Sequence, residues 1–106
     1  MVKINLESLE VLHNLADTRF EIQLDGQLAV LEYHLDGTTM IITHTYVPPR
    51  FEGQGIANKL ANTALEYAKE ENYKIISFCS FVDVYLRRHP EYQVLLKYQD
   101  RTRDTK

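Results

Sequence analysis

The chain has 106 residues, 44 % hydrophobic and 25 % charged, which fits one globular domain and leaves no room for a second core. Twelve Lys and Arg against fifteen Asp and Glu give a formal charge of −3, where a nucleic-acid binder would show a basic excess. One cysteine excludes an internal disulfide and a Cys-cluster metal site. No apolar run nears the ~20 residues of a membrane span, and Met1-Val2-Lys3-Ile4-Asn5 does not read as a signal peptide, so a reducing cytoplasmic setting is expected.

Residues 1–18 are mixed: Leu6, Leu9, Val11, Leu12 and Leu15 fit either a short strand around Leu9–His13 or a helical turn. From Arg19, Phe20, Ile22 and Leu24 alternate with Glu21, Gln23 and Asp25, the period of a half-buried strand. Asp25-Gly26 signals a tight turn. A second strand is expected from Gln27 to Leu35, a turn at Asp36-Gly37, and a third strand from Thr39 to Val47. Together these form an antiparallel meander. Val47-Pro48-Pro49 stops it, because proline has no N–H for a ladder.

After the loop Arg50-Phe51-Glu52-Gly53-Gln54-Gly55, an apolar stripe recurs at steps of three and four. Ile56, Ala57, Leu60, Ala61, Ala64, Leu65 and Ala68 predict a helix from about Gly55 to Glu71, closed by Asn72 in a left-handed conformation. The β-rich run Lys74 to Cys79 then reads as a strand reached by a crossover, parallel to the one before the helix. Val82 to Arg88 predicts a second helix, broken at His89-Pro90. Gln93 to Tyr98 is expected as a last strand, and 99–106 as a polar tail. The fold class is therefore α/β, a small mixed sheet within a domain over 1–98.

The chemical signal is Arg50-x-x-Gly53-x-Gly55 between a strand and a helix. Glycines let a backbone turn tightly and approach a ligand. The first N–H groups of a helix have no intrahelical partner, so such a turn suits a phosphate or pyrophosphate. A Gly-Lys-Ser/Thr P-loop ending is absent, as is a full G-x-G-x-x-G.

Followed by Ile56-Ala57-x-x-Leu60, this loop resembles the coenzyme-A-binding motif of the GCN5-related N-acetyltransferases. His44-Thr45-x-Val47-Pro48, Cys79 and His89-Pro90-Glu91-Tyr92 are similar to the minimal, single-domain branch of that superfamily, with the likeness running from Leu9 to Leu96. The resemblance implies acetyl-CoA or coenzyme A as the ligand. Its pyrophosphate would be held by Arg50, Phe51, Glu52, Gly53, Gln54, Gly55, Ile56 and Ala57, and its pantetheine arm would lie beside Tyr46 and Val47. It also implies Tyr85 as general acid to the departing thiolate, and a catalytic part for Cys79.

Cys79 ends a predicted parallel strand, where ligand sites in α/β folds lie. A thiol there suits nucleophilic acyl transfer, and a small buried side chain suits the position equally. His44 alternates with Met40, Ile42 and Tyr46 and is expected on their face, as base or as core histidine. Tyr85 follows Val82 by three residues, which also suits packing. Glu32 is a candidate base acting through water. His89 is expected to cap a helix end. Arg87-Arg88 suits a reach to the adenosine phosphates or a solvated face, and His13 and His34 show no role. The expected function is transfer of an acyl group from coenzyme A to an amine, free or on a protein, either directly or through Cys79. A coenzyme-A-binding module without catalysis and a ligand-free interaction domain are the alternatives.

Overall fold

The alternation starting at Arg19 produces three antiparallel strands: β2 (Arg19–Leu24), β3 (Gln27–Asp36) and β4 (Thr39–Tyr46), with β1 (Leu12–Asn14) on the outer edge. The computed structural model describes residues 4–98; Met1-Val2-Lys3 and the tail expected over 99–106 lie outside the described residues. Asp25 (φ 50°) and Gly26 (φ 84°) turn the chain between the paired Leu24 and Gln27, the double positive φ of a tight hairpin. The second turn lies one residue later than expected. Asp36 still pairs with Thr39, so Gly37 (φ 62°) and Thr38 make the bend.

Helix α1 (Ile56–Glu70) carries the chain over to β5 (Lys74–Ser77), which runs parallel to β4 and completes the order β1-β2-β3-β4-β5. A helix of 15 residues is marginal alone. Its stability comes from the buried stripe of Ile56, Leu60, Ala61, Ala64, Leu65 and Ala68. Asn72 (φ 63°) ends it as expected. The Tyr73 N–H bonds the Ala68 carbonyl at 2.8 Å and the Asn72 N–H the Lys69 carbonyl at 3.2 Å, a Schellman closure. The stripe packs on the sheet face carrying Phe20, Ile22, Leu31, Tyr33, Met40 and Ile42. Helix α2 (Ser80–Arg88) adds Val82 and Leu86 to this same core. The opposite sheet face leaves Gln23, Leu28, His34 and His44 exposed.

One irregularity in β4 governs everything downstream. Glu32 pairs with His44 but Tyr33 pairs with Ile42, so Thr43 is an extra residue, a β-bulge. Its hydroxyl donates to the Glu32 carbonyl at 3.3 Å. The side-chain phase therefore changes at Thr43. Met40, Ile42 and then Thr45 face the helices, while His44 and Tyr46 face away. The expectation that His44 shares a face with Met40 and Ile42 is thus corrected.

The strand expected over Gln93–Tyr98 is a second correction. Pro90–Leu95 forms a 3-10 helix, and strand pairing shrinks to one parallel bridge, Ile75 to Leu96, with the Lys97 N–H on the Ile75 carbonyl at 2.9 Å. Tyr92 and Leu95 are buried three residues apart, the spacing of one 3-10 turn. Tyr92 is tied to α1: its hydroxyl donates to Glu66 Oε2 at 2.6 Å and accepts from Asn62 Nδ2 at 2.9 Å. Burial and the Glu66 carboxylate hold that phenol protonated far above the usual tyrosine range.

Candidate active site

β4 and β5 pair over four residues only, from Thr39 with Lys74 to Ile42 with Ser77. The last link is the Phe78 N–H on the Ile42 carbonyl at 2.9 Å. Beyond it β4 continues to Tyr46, while the other chain turns at Cys79 into α2. The strands part, and a cleft of about 420 Å³ opens in the gap. Thr45 and Val47 of β4 and its extension form one wall, Phe81 of α2 lies across from them, and the loop Phe51, Glu52, Gly53, Gly55 with the first turn of α1 closes the end.

That loop has the geometry its glycines suggest. Gly53 (φ 82°) and Gly55 (φ 88°) both take the left-handed conformation, and Gly55 is the N-cap of α1. No side chain caps the helix. The Lys59 N–H bonds the Gly55 carbonyl at 3.0 Å, which leaves the amides of Ile56, Ala57 and Asn58 ahead of the first intrahelical bond. These three residues line the cleft. Unpaired amides and the positive end of the helix dipole make this end a natural anion cradle. A phosphate-bearing ligand fits the donor set.

Several expected ligand residues sit elsewhere. Val47, Phe51, Glu52, Gly53, Gly55, Ile56 and Ala57 line the cleft; Tyr46, Arg50 and Gln54 are not in its lining. Tyr46 is turned to the other sheet face by the bulge. Arg50 reaches back to Asp25 of the first hairpin, Nη2 to Oδ2 at 3.1 Å, with its guanidinium over the Phe51 ring at 5.0 Å. Gln54 Oε1 accepts the Ile4 N–H at 3.2 Å. Thr45, Asn58 and Phe81 are lining residues that the sequence reasoning missed. For Asn58 the signal was available: it is in the first turn after the glycine loop. Thr45 and Phe81 needed the bulge and the true start of α2.

Cys79 is buried, at 8 % exposure, and is the N-cap residue of α2. Its Sγ is 3.4 Å from Thr45 Oγ1, a contact that joins the two diverging strands beside the cleft. The Ser77 hydroxyl fixes the backbone there, accepting the Cys79 N–H and donating to the Cys79 carbonyl, both at 3.2 Å. Tyr85 lies one turn beyond Phe81, its ring stacked on His89 with centroids 3.9 Å apart. The structure does not bring His44, Cys79 and Tyr85 together. His44 is exposed on the far face, opposite Glu32. His89 does cap α2: its Nδ1–H donates to the Tyr85 carbonyl at 2.8 Å. His13, which showed no role in the sequence, stacks on Phe20 and meets the Tyr33 hydroxyl at 2.6 Å.

A mixed sheet whose parallel strands part beside an uncapped, glycine-led helix is the architecture of this chain, and comparison with known proteins gives it a family. The family model for the GCN5-related N-acetyl-transferase matches residues 19–95, and the chain belongs to that family. It is 35 % identical over 95 residues to Protein NATD1 of Xenopus tropicalis, covering 87 % of each chain, and 33 % identical over 94 residues to Protein NATD1 of Mus musculus, covering 86 % of each. A GCN5-like protein of Staphylococcus aureus, solved by NMR, superposes with a TM-score of 0.68 at 34 % identity, covering 83 % of this chain and 87 % of that one. Membership supports acyl transfer from acetyl-CoA at the level of the family.

Proposed function

We propose that this protein is an acetyl-CoA-dependent N-acetyltransferase and that the cleft between β4 and β5 is its catalytic site. The observation that carries the reading is the uncapped first turn of α1 opening into that cleft. Acetyl-CoA, when bound, supplies an activated thioester. The amides of Ile56, Ala57 and Asn58 hold its diphosphate, with the left-handed Gly53 and Gly55 letting the backbone close around it. Past Ile42 the β5-facing edge of β4 has no strand partner among the described residues, so its backbone groups near Tyr46 and Val47 are free for the pantetheine amides.

Thr45 and Cys79 mark the acyl end. We read the transfer as direct: a neutral amine attacks the thioester carbonyl, the carbon–sulfur bond breaks, and the thiolate leaves. His44, cross-strand from Glu32 on the uncovered face, takes the proton of an amine approaching the free edge of β4 from that side. Tyr85, behind Phe81 on α2, is the donor to the thiolate. Its hydroxyl makes no hydrogen bond among the described residues. Among the described residues the Cys79 thiol has Thr45 Oγ1 as its one hydrogen-bonding neighbour and no hydrogen bond to a histidine or lysine. That environment favours a packing role beside the cleft over a covalent relay.

Titration with coenzyme A, followed by thiol release from acetyl-CoA with a panel of amines, tests the reading. Ligand at 100 times its dissociation constant should add about 2.7 kcal/mol of stability. Binding with no thiol release for any amine would leave the non-catalytic coenzyme-A module. Loss of turnover in Cys79→Ser, with acetyl label trapped on the wild-type thiol, would replace the direct route by the two-step one.

A further inference from the structure

The segment before β1 lies along α1. At one end the Ile4 N–H donates to Gln54 Oε1 at 3.2 Å. Next, Lys59 Nζ donates to the Leu6 carbonyl at 2.9 Å, and Leu6 Cδ2 would be 3.1 Å from a Cβ placed on Gly55. Where the segment runs into β1, His13 and the Tyr67 ring meet edge to face, with centroids 4.4 Å apart. Between them Leu6–Ser8 forms a 3-10 turn, which Asn5 stiffens by accepting the Glu7 N–H at 3.2 Å and the Ser8 hydroxyl at 2.9 Å. Ile4, Leu6, Leu9 and Val11 pack against the core.

Three of these contacts fall on Gln54, Gly55 and Lys59, within the loop and first helical turn that border the cleft, although no residue of the preceding segment is itself in the cleft lining. Gly55 holds a left-handed φ with no side-chain cap to stabilise it. The Leu6 methyl sits against Gly55 closely enough that a Cβ there would push it back by a few tenths of an ångström. Lys59, in the fourth position of α1, is the cation nearest the anion cradle in sequence. Its ammonium is engaged by a backbone carbonyl of the preceding segment.

We propose that residues 4–9 are a strap that holds the glycine loop in its ligand-binding shape, with Leu6 and Lys59 as positioning residues for the coenzyme. The inference rests on the cleft being the coenzyme site. The strap's own side chains stay out of the cleft lining, so it sets the affinity for the coenzyme and leaves the acyl-transfer step unchanged. Coupling of this kind is reciprocal: ligand in the cleft must also tighten the strap.

The test uses the full chain. Leu6→Ala keeps the carbonyl that Lys59 bonds but removes the methyl contact; Lys59→Met removes the latch, and Lys59→Arg retains it. Expected for Leu6→Ala and Lys59→Met is a rise of at least fivefold in the coenzyme A dissociation constant and in KM for acetyl-CoA, with kcat unchanged. Lys59→Arg should restore wild-type values. In the wild type, coenzyme A should slow amide exchange at Ser8 and Leu9, whose N–H groups close the 3-10 turn. Leu6→Ala binding within twofold of wild type, or exchange at Ser8 and Leu9 untouched by coenzyme A, would overturn the strap while leaving the site reading intact. No coenzyme A binding by the wild type would overturn both. Should Leu6→Ala fail to fold, the wild-type exchange measurement decides alone.

Discussion

Gly55 and Gly53 offer a paired perturbation whose sizes can be worked out in advance. Both sit near φ +85°, at +88° and +82°, so alanine at either pays about 1–2 kcal/mol for the left-handed conformation. Stiffening of the unfolded chain returns about 0.4–1 kcal/mol. Gly53→Ala should therefore cost about 1 kcal/mol, since a Cβ there meets nothing within 4 Å. Gly55→Ala carries the same backbone cost and also places its Cβ 3.1 Å from Leu6 Cδ2. That is the flexible end of a side chain, so Leu6 gives way by a few tenths of an ångström. We expect an additional cost of up to about 1 kcal/mol, at the mild end of overpacking. Urea unfolding followed by circular dichroism should rank the proteins as wild type, Gly53→Ala, Gly55→Ala. Each 1 kcal/mol corresponds to about 4–8 °C in Tm for a chain of this size. In a Leu6→Ala background the gap between the two alanine variants should close. A Gly55→Ala protein as stable as wild type would refute the loop geometry, and a gap surviving Leu6→Ala would refute the assigned contact.

Glu52 is the one charged side chain in the cleft lining, and its carboxylate opposes an anionic ligand; Glu52→Gln should tighten coenzyme A binding about two- to fivefold at low salt, with the gain fading as salt is added, and weaker binding on titration would show the carboxylate has another role. Tyr92→Phe removes the hydroxyl shared by Glu66 and Asn62 and should cost about 1–3 kcal/mol in denaturant unfolding; an unchanged midpoint would mean the link to α1 is not stabilising. Burial lowers the His13 pKa below 6.5, so the unfolded chain binds a proton more readily than the folded one. Stability from this group is complete above about pH 6.5 and declines as pH falls toward the folded-state pKa; unfolding free energies at pH 7 and pH 5.5 should converge in His13→Gln, and an identical pH slope in the variant would exclude His13 as the source.

The meander, the crossover helix and its ending were legible because each is written in local chemistry: alternation, Asp-Gly, a three-four stripe, Asn72. The glycine loop was legible for the same reason. The orientation of the candidate catalytic residues was not. The bulge at Thr43 carries neither glycine nor proline, and it arises from pairing with Glu32 and Tyr33 of β3, across the hairpin and in no single motif. Counting alternate residues straight through Thr43 put His44 on the wrong face. The pairing of Arg50 with Asp25 was not legible because Asp25 lies in a hairpin remote in sequence. The closing segment misled because Val94-Leu95-Leu96 reads as β-rich, whereas Pro90 and the anchoring of Tyr92 on α1 favour a 3-10 coil. The strap was ambiguous for a related reason: its apolar residues serve a short 3-10 turn and a short strand in succession.

The extra residue in β4 has a consequence for chain length. Removing Thr43 would leave every other side chain of the strand facing the same way, because Ile42, His44 and Thr45 already alternate once it is skipped. What would vanish is the bend. A version of this protein one residue shorter there should keep its core and its hairpins, yet zip β4 further along its parallel neighbour. The seam would stay shut beside the cleft, and the result would be a well-folded protein without the opening in which we propose the thioester is held.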